Sequence, residues 1–132
     1  TVALADEETD ERLAATRLAG PALQFREAAY AVREEDSELG SLLSIPSRDV
    51  ALALPQRLPD EGATWPRAIF AVVEDPSDET RPPQALMMIQ DDPRSPYRVH
   101  YALTLEPQAV VPPLAPVGLG SPLLPAATPQ LA

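Results

Sequence analysis

Few residues of this chain could perform acid–base or nucleophilic chemistry. Its 132 residues include no cysteine, no lysine and a single histidine, His100. Without cysteine there is no thiolate nucleophile, no disulfide and no thiolate metal site, and one histidine cannot build a multi-histidine metal centre. A Ser–His–acid triad could use only His100, which lies within a segment of alternating polarity typical of a strand. A structural role is therefore favoured for His100, with Tyr101 and Glu27 as the other candidates for an acid or base.

Two short groups rich in arginine and aromatic residues are the best candidates for a binding site. They are Trp-Pro-Arg at 65–67 and Pro-Arg-Ser-Pro-Tyr-Arg at 93–98. Five residues of these groups and their surroundings could line a cleft for an anion or a peptide: Trp65, Arg67, Tyr97, Arg98 and His100. The competing interpretation is that Trp65 fills an edge of the core while each arginine pairs with a nearby carboxylate. For the chain's only tryptophan, core filling is the favoured role.

No motif for a cofactor, a metal or a catalytic centre is present. The sequence lacks the glycine-rich phosphate-binding patterns, the zinc-protease helix motif and the nucleophile-elbow pattern. Two acidic groups in turns, Asp75–Asp78–Glu79 and Asp91-Asp92, could hold a hard cation only weakly, because neither follows calcium-loop spacing. We therefore predict no catalytic residues, no cofactor and no metal site.

The charge balance excludes two classes of partner. The chain has ten arginines and twenty acidic residues, so its formal net charge is −10. Nucleic-acid binders and proteins that dock on anionic lipid rely on clustered basic residues, so neither function is expected. The absence of lysine and asparagine, with abundant alanine, arginine and proline, is typical of a GC-rich genome.

The first 38 residues are acidic and predict helices. An acidic cluster at 6–11 suits a helix N-terminus, where the macrodipole is positive, and Thr9 is the predicted cap. Gly20-Pro21 predicts a kink or a new helix start, because proline lacks the backbone N–H. The second helix is expected to bury a stripe at helical spacing and to turn Arg26, Arg33 and Glu34 elsewhere. The stripe consists of Ala22, Phe25, Ala29 and Val32.

Four strands are predicted after these helices. A short strand at 50–54, ended by Pro55, suits a sheet edge. The segments 67–74 and 84–90 are apolar on both faces, which predicts burial on both sides of the first of them. The last strand, 97–106, alternates, and short connections favour an antiparallel meander. One predicted face of that strand holds Val99, Tyr101, Leu103 and Leu105, and the other holds Arg98, His100, Ala102 and Thr104. The expected fold class is α+β, with N-terminal helices packed on a curved antiparallel sheet of three to four strands.

The last 25 residues differ in kind from the rest. No charge follows Glu106, and prolines recur every few residues. These prolines exclude a membrane-spanning helix, so no transmembrane segment is predicted. We expect an α+β domain at 1–107 and, at 108–132, a proline-rich apolar linker to a further domain or an arm that is docked in part.

Three regions of the chain carry distinctive strings: RLAGPAL followed by REAAY, then WPRAIFAVVED, and DDPRSPYRVHYALTLEP ahead of the proline-rich run. These strings resemble a family of uncharacterised actinobacterial exported proteins, often lipoproteins. The resemblance covers roughly 17–107, and PRSPYR is its most specific part. The order of elements also resembles the cone-shaped fold of nuclear-transport-factor-2-like (cystatin-like) proteins. The resemblance implies an extracytoplasmic location, with any lipid anchor upstream of Thr1, and it implies no catalytic residues.

Three functions follow as expectations. The first is a noncatalytic cell-envelope domain that binds a protein partner or an apolar ligand. The second is a small cone-fold enzyme, isomerase- or dehydratase-like, acting on a hydrophobic substrate. The third is a structural half of a two-domain protein without a site of its own. A titratable residue lining a cavity would favour the enzyme, whereas the apolar strand faces predict a filled core or an apolar pocket.

Overall fold

The computed structural model describes residues 1–40, 42, 44–45, 50–53, 65–74, 80–106 and 116, with only the backbone described at 50–53. Predictions for the loops at 54–64 and 75–79 and for the segment 107–132, Pro116 aside, fall outside these residues. Three helices and four strands make up the described part of the chain. The helices are α1 (Val2–Glu8), α2 (Glu11–Ala15) and α3 (Gly20–Glu35). The strands are β1 (Val50–Ala53), β2 (Arg67–Val73), β3 (Gln84–Gln90) and β4 (Arg98–Thr104).

The acidic cluster separates two helices instead of opening one. Thr9 ends α1 in the left-handed conformation (φ 51°), so the prediction that it caps a helix start was wrong. Asp10 caps α2, and its carboxylate accepts a hydrogen bond from the Leu13 N–H at 2.9 Å. A carboxylate accepts such a bond well at a helix N-terminus, where the backbone N–H groups lack partners. As predicted, a new helix starts at the Gly20-Pro21 pair, with Pro21 in the first turn of α3.

The buried face of α3 agrees with only half of the predicted apolar stripe. Ala29 is buried and Ala22 packs against the core, as predicted, whereas Phe25 is 57% exposed and Val32 is 44% exposed. Arg26 and Tyr30 are buried instead, so the prediction that Arg26 turns away from the core was wrong. An arginine can lie there because α1 supplies a carboxylate opposite it.

Asp6 of α1 is the polar centre that joins α1 to α3. Its Oδ1 accepts a hydrogen bond from the Tyr30 hydroxyl at 2.7 Å and lies 2.9 Å from Arg26 Nε as an ion pair. The Asp6 carbonyl also accepts a bond from Arg33 Nη1 at 3.1 Å. Arg33 Nε donates to the carbonyl of Gly40 at 2.9 Å, so the same helix also holds the chain that follows it. One carboxylate thus stabilises the inward orientation of both a cation and a phenol.

The four strands form one antiparallel sheet in the order β1-β2-β3-β4. β3 pairs with β2 along its whole length and with β4 on its other side. The predicted meander and the α+β class are confirmed, and the bounds of β3 agree with the prediction.

A β-bulge at His100 breaks the alternation predicted for β4. Met88 pairs with Val99 and Met87 with Tyr101, so His100 is an extra residue without a partner on β3. A bulge adds one residue to one strand and shifts every later side chain to the opposite face. Tyr101 and Leu103 therefore share a face with Met87, while Ala102 shares the face of Val99, contrary to the predicted alternation.

The helices cover one face of the sheet, which we call the inner face. Its side chains join helix residues in the core, together with the buried Gln84, whose amide donates to the Ser44 carbonyl at 2.6 Å. The core cluster consists of Ala5, Ala14, Leu18, Tyr30, Ala71, Val73, Leu86 and Val99. On the opposite or outer face, Ala68 and Phe70 of β2 are exposed, so the prediction of burial on both sides holds only for Val72.

Removal of the Asp6 carboxylate should destabilise the fold strongly. Asp6→Ala leaves the buried Arg26 guanidinium without this counter-ion, and losing one member of a buried pair costs about 3 kcal/mol. Chemical denaturation followed by circular dichroism measures the loss. Glu7→Ala, at an exposed neighbour on the same helix, is the matched control and should change stability little. Equal effects of the two substitutions would contradict the role given to Asp6.

Tyr30 should make stability depend on alkaline pH. Burial, and then the hydrogen bond to Asp6, raise the pKa of Tyr30 above its ordinary value of 10.0. The unfolded chain therefore loses the phenol proton first, so this contribution is complete below about pH 10 and declines as pH rises further. We expect Tyr30→Phe to lower stability by about 1 kcal/mol at neutral pH and to flatten the alkaline decline. Tyr101→Phe, at an exposed tyrosine, should leave that decline unchanged in the same pH series.

Candidate functional site

The predicted binding residues gather at one end of the sheet but face different directions. Trp65 is half-buried, and the guanidinium carbon of Arg67 lies 4.6 Å from the centroid of its ring. This is cation–π distance, so Arg67 stacks on the tryptophan that precedes its strand. The Trp65–Pro66 peptide bond is cis.

Arg98 forms an ion pair on the β3–β4 turn. Its Nη2 lies 2.6 Å from Asp91 Oδ2. In the same turn Asp92 accepts hydrogen bonds from the backbone N–H groups of Arg94 and Ser95 and from the Ser95 hydroxyl. These bonds, chiefly the one from the hydroxyl, lower the pKa of Asp92. Asp91 and Asp92, the acidic pair predicted to hold a cation only weakly, thus stabilise the β3–β4 turn.

The strand register shows that the five candidate binding residues do not line one cleft. Arg67 pairs with Gln90 and belongs to the same face as Ile69, whereas Arg98 pairs with Ile89 on the other face. Tyr97 is half-buried just before β4. Arg98 thus pairs with a nearby carboxylate, as the competing interpretation has it, whereas Arg67 contacts the ring of Trp65.

His100 occupies the bulge and approaches the start of α3. A Cβ at Gly20 would lie 3.2 Å from His100 Nδ1, and Gly20 has φ +51°, so a side chain is disfavoured there on both counts. His100 Nε2 is buried and has no hydrogen-bond partner among the described residues. No carboxylate or serine is brought to His100 by any described contact, so the geometry does not assemble a triad.

An open apolar groove of about 440 Å³ runs between α3 and β4. Its walls come from the start of α3, from the residues just before that helix, and from the second half of β4. The lining residues are Leu18, Pro21, Ala22, Phe25, Arg26, Ile45, Tyr101, Ala102, Leu103 and Thr104. Volumes of this order suit small ligands and short peptide segments.

The groove runs along an edge of the sheet beyond which no other described strand lies. β4 is the last strand in the sheet, and the Leu105 N–H beyond it donates toward β3, to the Pro83 carbonyl at 2.8 Å. In an antiparallel ladder alternate residues turn their N–H and C=O groups toward the partner strand and away from it. Thr104 and Ala102 therefore turn their backbone groups away from β3, and no described strand pairs with them.

The chain already uses the first part of this edge for strand addition. Val99 N–H donates to the Arg17 carbonyl at 2.8 Å, and Ala19 N–H donates to the Val99 carbonyl at 2.9 Å. Leu18 forms a parallel bridge with Val99 through these two bonds. An extended segment thus docks at the start of β4, and the edge continues beyond it beside the groove.

The described lining of the groove is mostly apolar. Among these described residues there is no carboxylate and no histidine, and the one charged residue, Arg26, is paired with Asp6. Glu27 and His100, two of the predicted acid–base candidates, do not line it, whereas Tyr101 does. Sequence reasoning placed Phe25 in the core; the exposed phenylalanine is instead a wall of the groove.

The described residues contain neither a cluster of metal-ligating side chains nor a membrane-spanning helix. No group of three or more metal-ligating side chains occurs among them. Within the same part of the chain, none of the helices has the length and apolar character needed to cross a membrane.

No protein-family model, curated protein or solved structure matches this chain.

Proposed function

We propose that this chain is a noncatalytic binding domain that takes an extended, uncharged peptide segment of a partner protein as an added strand along β4. The observation that carries the proposal is the open edge of β4 beside an apolar groove. Backbone groups of Ala102 and Thr104 supply hydrogen bonds to a peptide main chain, and the groove receives its side chains. In peptide recognition by strand addition, main-chain hydrogen bonds provide affinity and pockets for alternate side chains provide specificity.

The apolar lining determines the chemistry of the partner segment. Charged side chains would lose their hydration against Phe25, Leu18 and Pro21 without finding a free counter-ion. The net charge of −10 further disfavours an acidic partner. Alternate side chains of an added strand point to one side, so apolar residues at every second position fit the groove best.

An extended peptide fits the site better than a compact small molecule does. A ligand without a main chain would use the apolar walls but leave the outward backbone groups of β4 to water. The bonds between Val99 and the segment 17–19 demonstrate that main-chain pairing at this edge is geometrically possible. The absence of a carboxylate or histidine from the lining favours binding over the alternative of a cone-fold enzyme.

We further propose that the chain has a nuclear-transport-factor-2-like fold and lies in the cell envelope. The order of helices followed by an antiparallel meander supports a nuclear-transport-factor-2-like fold, and the resemblance of the sequence strings supports an exported, cell-envelope protein. A binding domain of this kind would serve in recognition or assembly outside the cytoplasm.

Peptide selection with matched variants tests the proposal. Random linear peptides displayed on phage are selected on the immobilised full chain, and synthetic copies of enriched peptides are titrated by calorimetry. We expect apolar, uncharged sequences whose affinity falls about tenfold or more in Phe25→Asp. Val32→Asp, which places the same charge at another exposed apolar position of α3, should bind as the unmodified chain does.

A second pair of variants tests the strand-addition mode. Thr104→Pro removes an outward N–H donor at an edge where proline is tolerated, and it should weaken peptide binding. Thr104→Val keeps that donor and should bind normally. Peptides that bind equally to the Phe25→Asp and Val32→Asp variants would contradict the site. Ligands sensitive to Phe25→Asp but indifferent to Thr104→Pro would replace the peptide with a small apolar molecule.

A further inference from the structure

Four consecutive residues of β4, from Tyr101 to Thr104, line the groove. Consecutive side chains of a strand point to opposite faces of the sheet, so the groove contacts both sides of the β4 edge. We propose that a peptide added at this edge is recognised through side chains on both of its faces, and that Tyr101 and Leu103 select those on the outer face. This inference rests on the proposed strand addition and names the class of segment that the site binds.

The β-bulge at His100 places Tyr101 and Leu103 on the outer side of the edge. Tyr101 pairs with Met87 on β3, whereas Val99, before the bulge, lies on the inner face. Tyr101 is 47% exposed and Leu103 is 59% exposed. Beyond these two apolar side chains no described strand covers them, because β4 is the last strand of the sheet.

The peptide residues opposite Tyr101 and Leu103 lie on the same outer face as these two side chains. Directly opposite side chains on neighbouring strands have Cβ atoms about 5 Å apart, which is contact distance for large residues. Pairs of aromatic residues, and pairs of an aromatic with a β-branched residue, are favourable in such positions. We therefore expect the outer positions of the peptide to carry aromatic or β-branched residues.

The peptide residues opposite Ala102 and Thr104 lie on the inner face, towards α3. Phe25 and Pro21 form part of the apolar wall on that side. A strand that is covered on both faces has a continuous apolar sequence, whereas a strand with one face in water alternates. The segment that this edge binds is therefore apolar at the outer positions as well as at the inner ones.

The paired part of the peptide is short, because the edge beside Val99 is already occupied. The Val99 N–H and C=O are bonded to the Arg17 carbonyl and the Ala19 N–H, and Leu18 bridges to Val99. An added strand can pair only beyond the bulge, and β4 ends at Thr104. Four consecutive positions of the peptide, opposite 101–104, therefore determine its affinity.

A serine scan of bound peptides tests the inference. The probes are synthetic copies of peptides selected on the full chain that lose affinity for Phe25→Asp, titrated by calorimetry with serine at each position in turn. We expect four consecutive positions at which serine lowers affinity about threefold or more. In Leu103→Ser the penalty at one outer position should disappear while the penalties at the inner positions persist. Tyr101→Ser should act in the same way on the outer position two residues away.

Phe70→Ser is the matched control for these variants. Phe70 lies on the outer face of β2, two strands from the edge, and is 42% exposed, so its loss should leave the serine profile unchanged. Penalties at every second position only, or variants at 101 and 103 with the profile of the unmodified chain, would overturn the inference and leave the proposed strand addition standing. Selected peptides that are all indifferent to Phe25→Asp would remove the proposed function and this inference with it.

Discussion

A single sheet has two faces, and this chain has one layer of helices to cover them. The buried residues of all three helices meet the inner face, where Leu86, Val73 and Val99 complete the core. The same arrangement leaves the outer face and the β4 edge without a covering element among the described residues. The β4 edge on which a partner is proposed is therefore left uncovered because the helices form a layer on one face only, since a domain buries apolar surface only by packing a second layer on it.

The inner layer depends on a polar contact because its apolar side chains are small. Much of the core is alanine, which permits close approach of helix and sheet but buries little area for each residue. Among the described residues Tyr30 is the largest fully buried side chain, and its hydroxyl donates a hydrogen bond to Asp6. The carboxylate offsets the cost of burying both a phenol and the Arg26 guanidinium. With Arg26 directed inward, the neighbouring Phe25 is left at the surface, where it becomes a wall of the groove.

Periodicity predicted the elements well and their faces less well. β3 and the antiparallel order followed from apolar runs bounded by proline and aspartate turns, because these are local signals. The orientation of α3 did not follow, since Arg26 is buried only through a partner twenty residues earlier in the chain. Likewise the residue that caps the start of α2 is Asp10 and not Thr9. Either residue type can cap a helix, and the course of the backbone determines which of the two does so. The groove was beyond sequence reasoning, because its two walls are eighty residues apart.

The bulge at His100 connects the groove with the outer face. In an unbroken strand Tyr101 and Leu103 would follow Val99 onto the inner face, as their alternation predicted. Val99 stays inward, and its backbone pairs with the segment 17–19, whereas the extra residue turns Tyr101 and Leu103 outward. One inserted residue thus places Tyr101 beside Met87. It also brings the imidazole against Gly20, a position where any larger residue would crowd the ring. The histidine that first suggested catalysis is better explained as the residue around which β4 changes face.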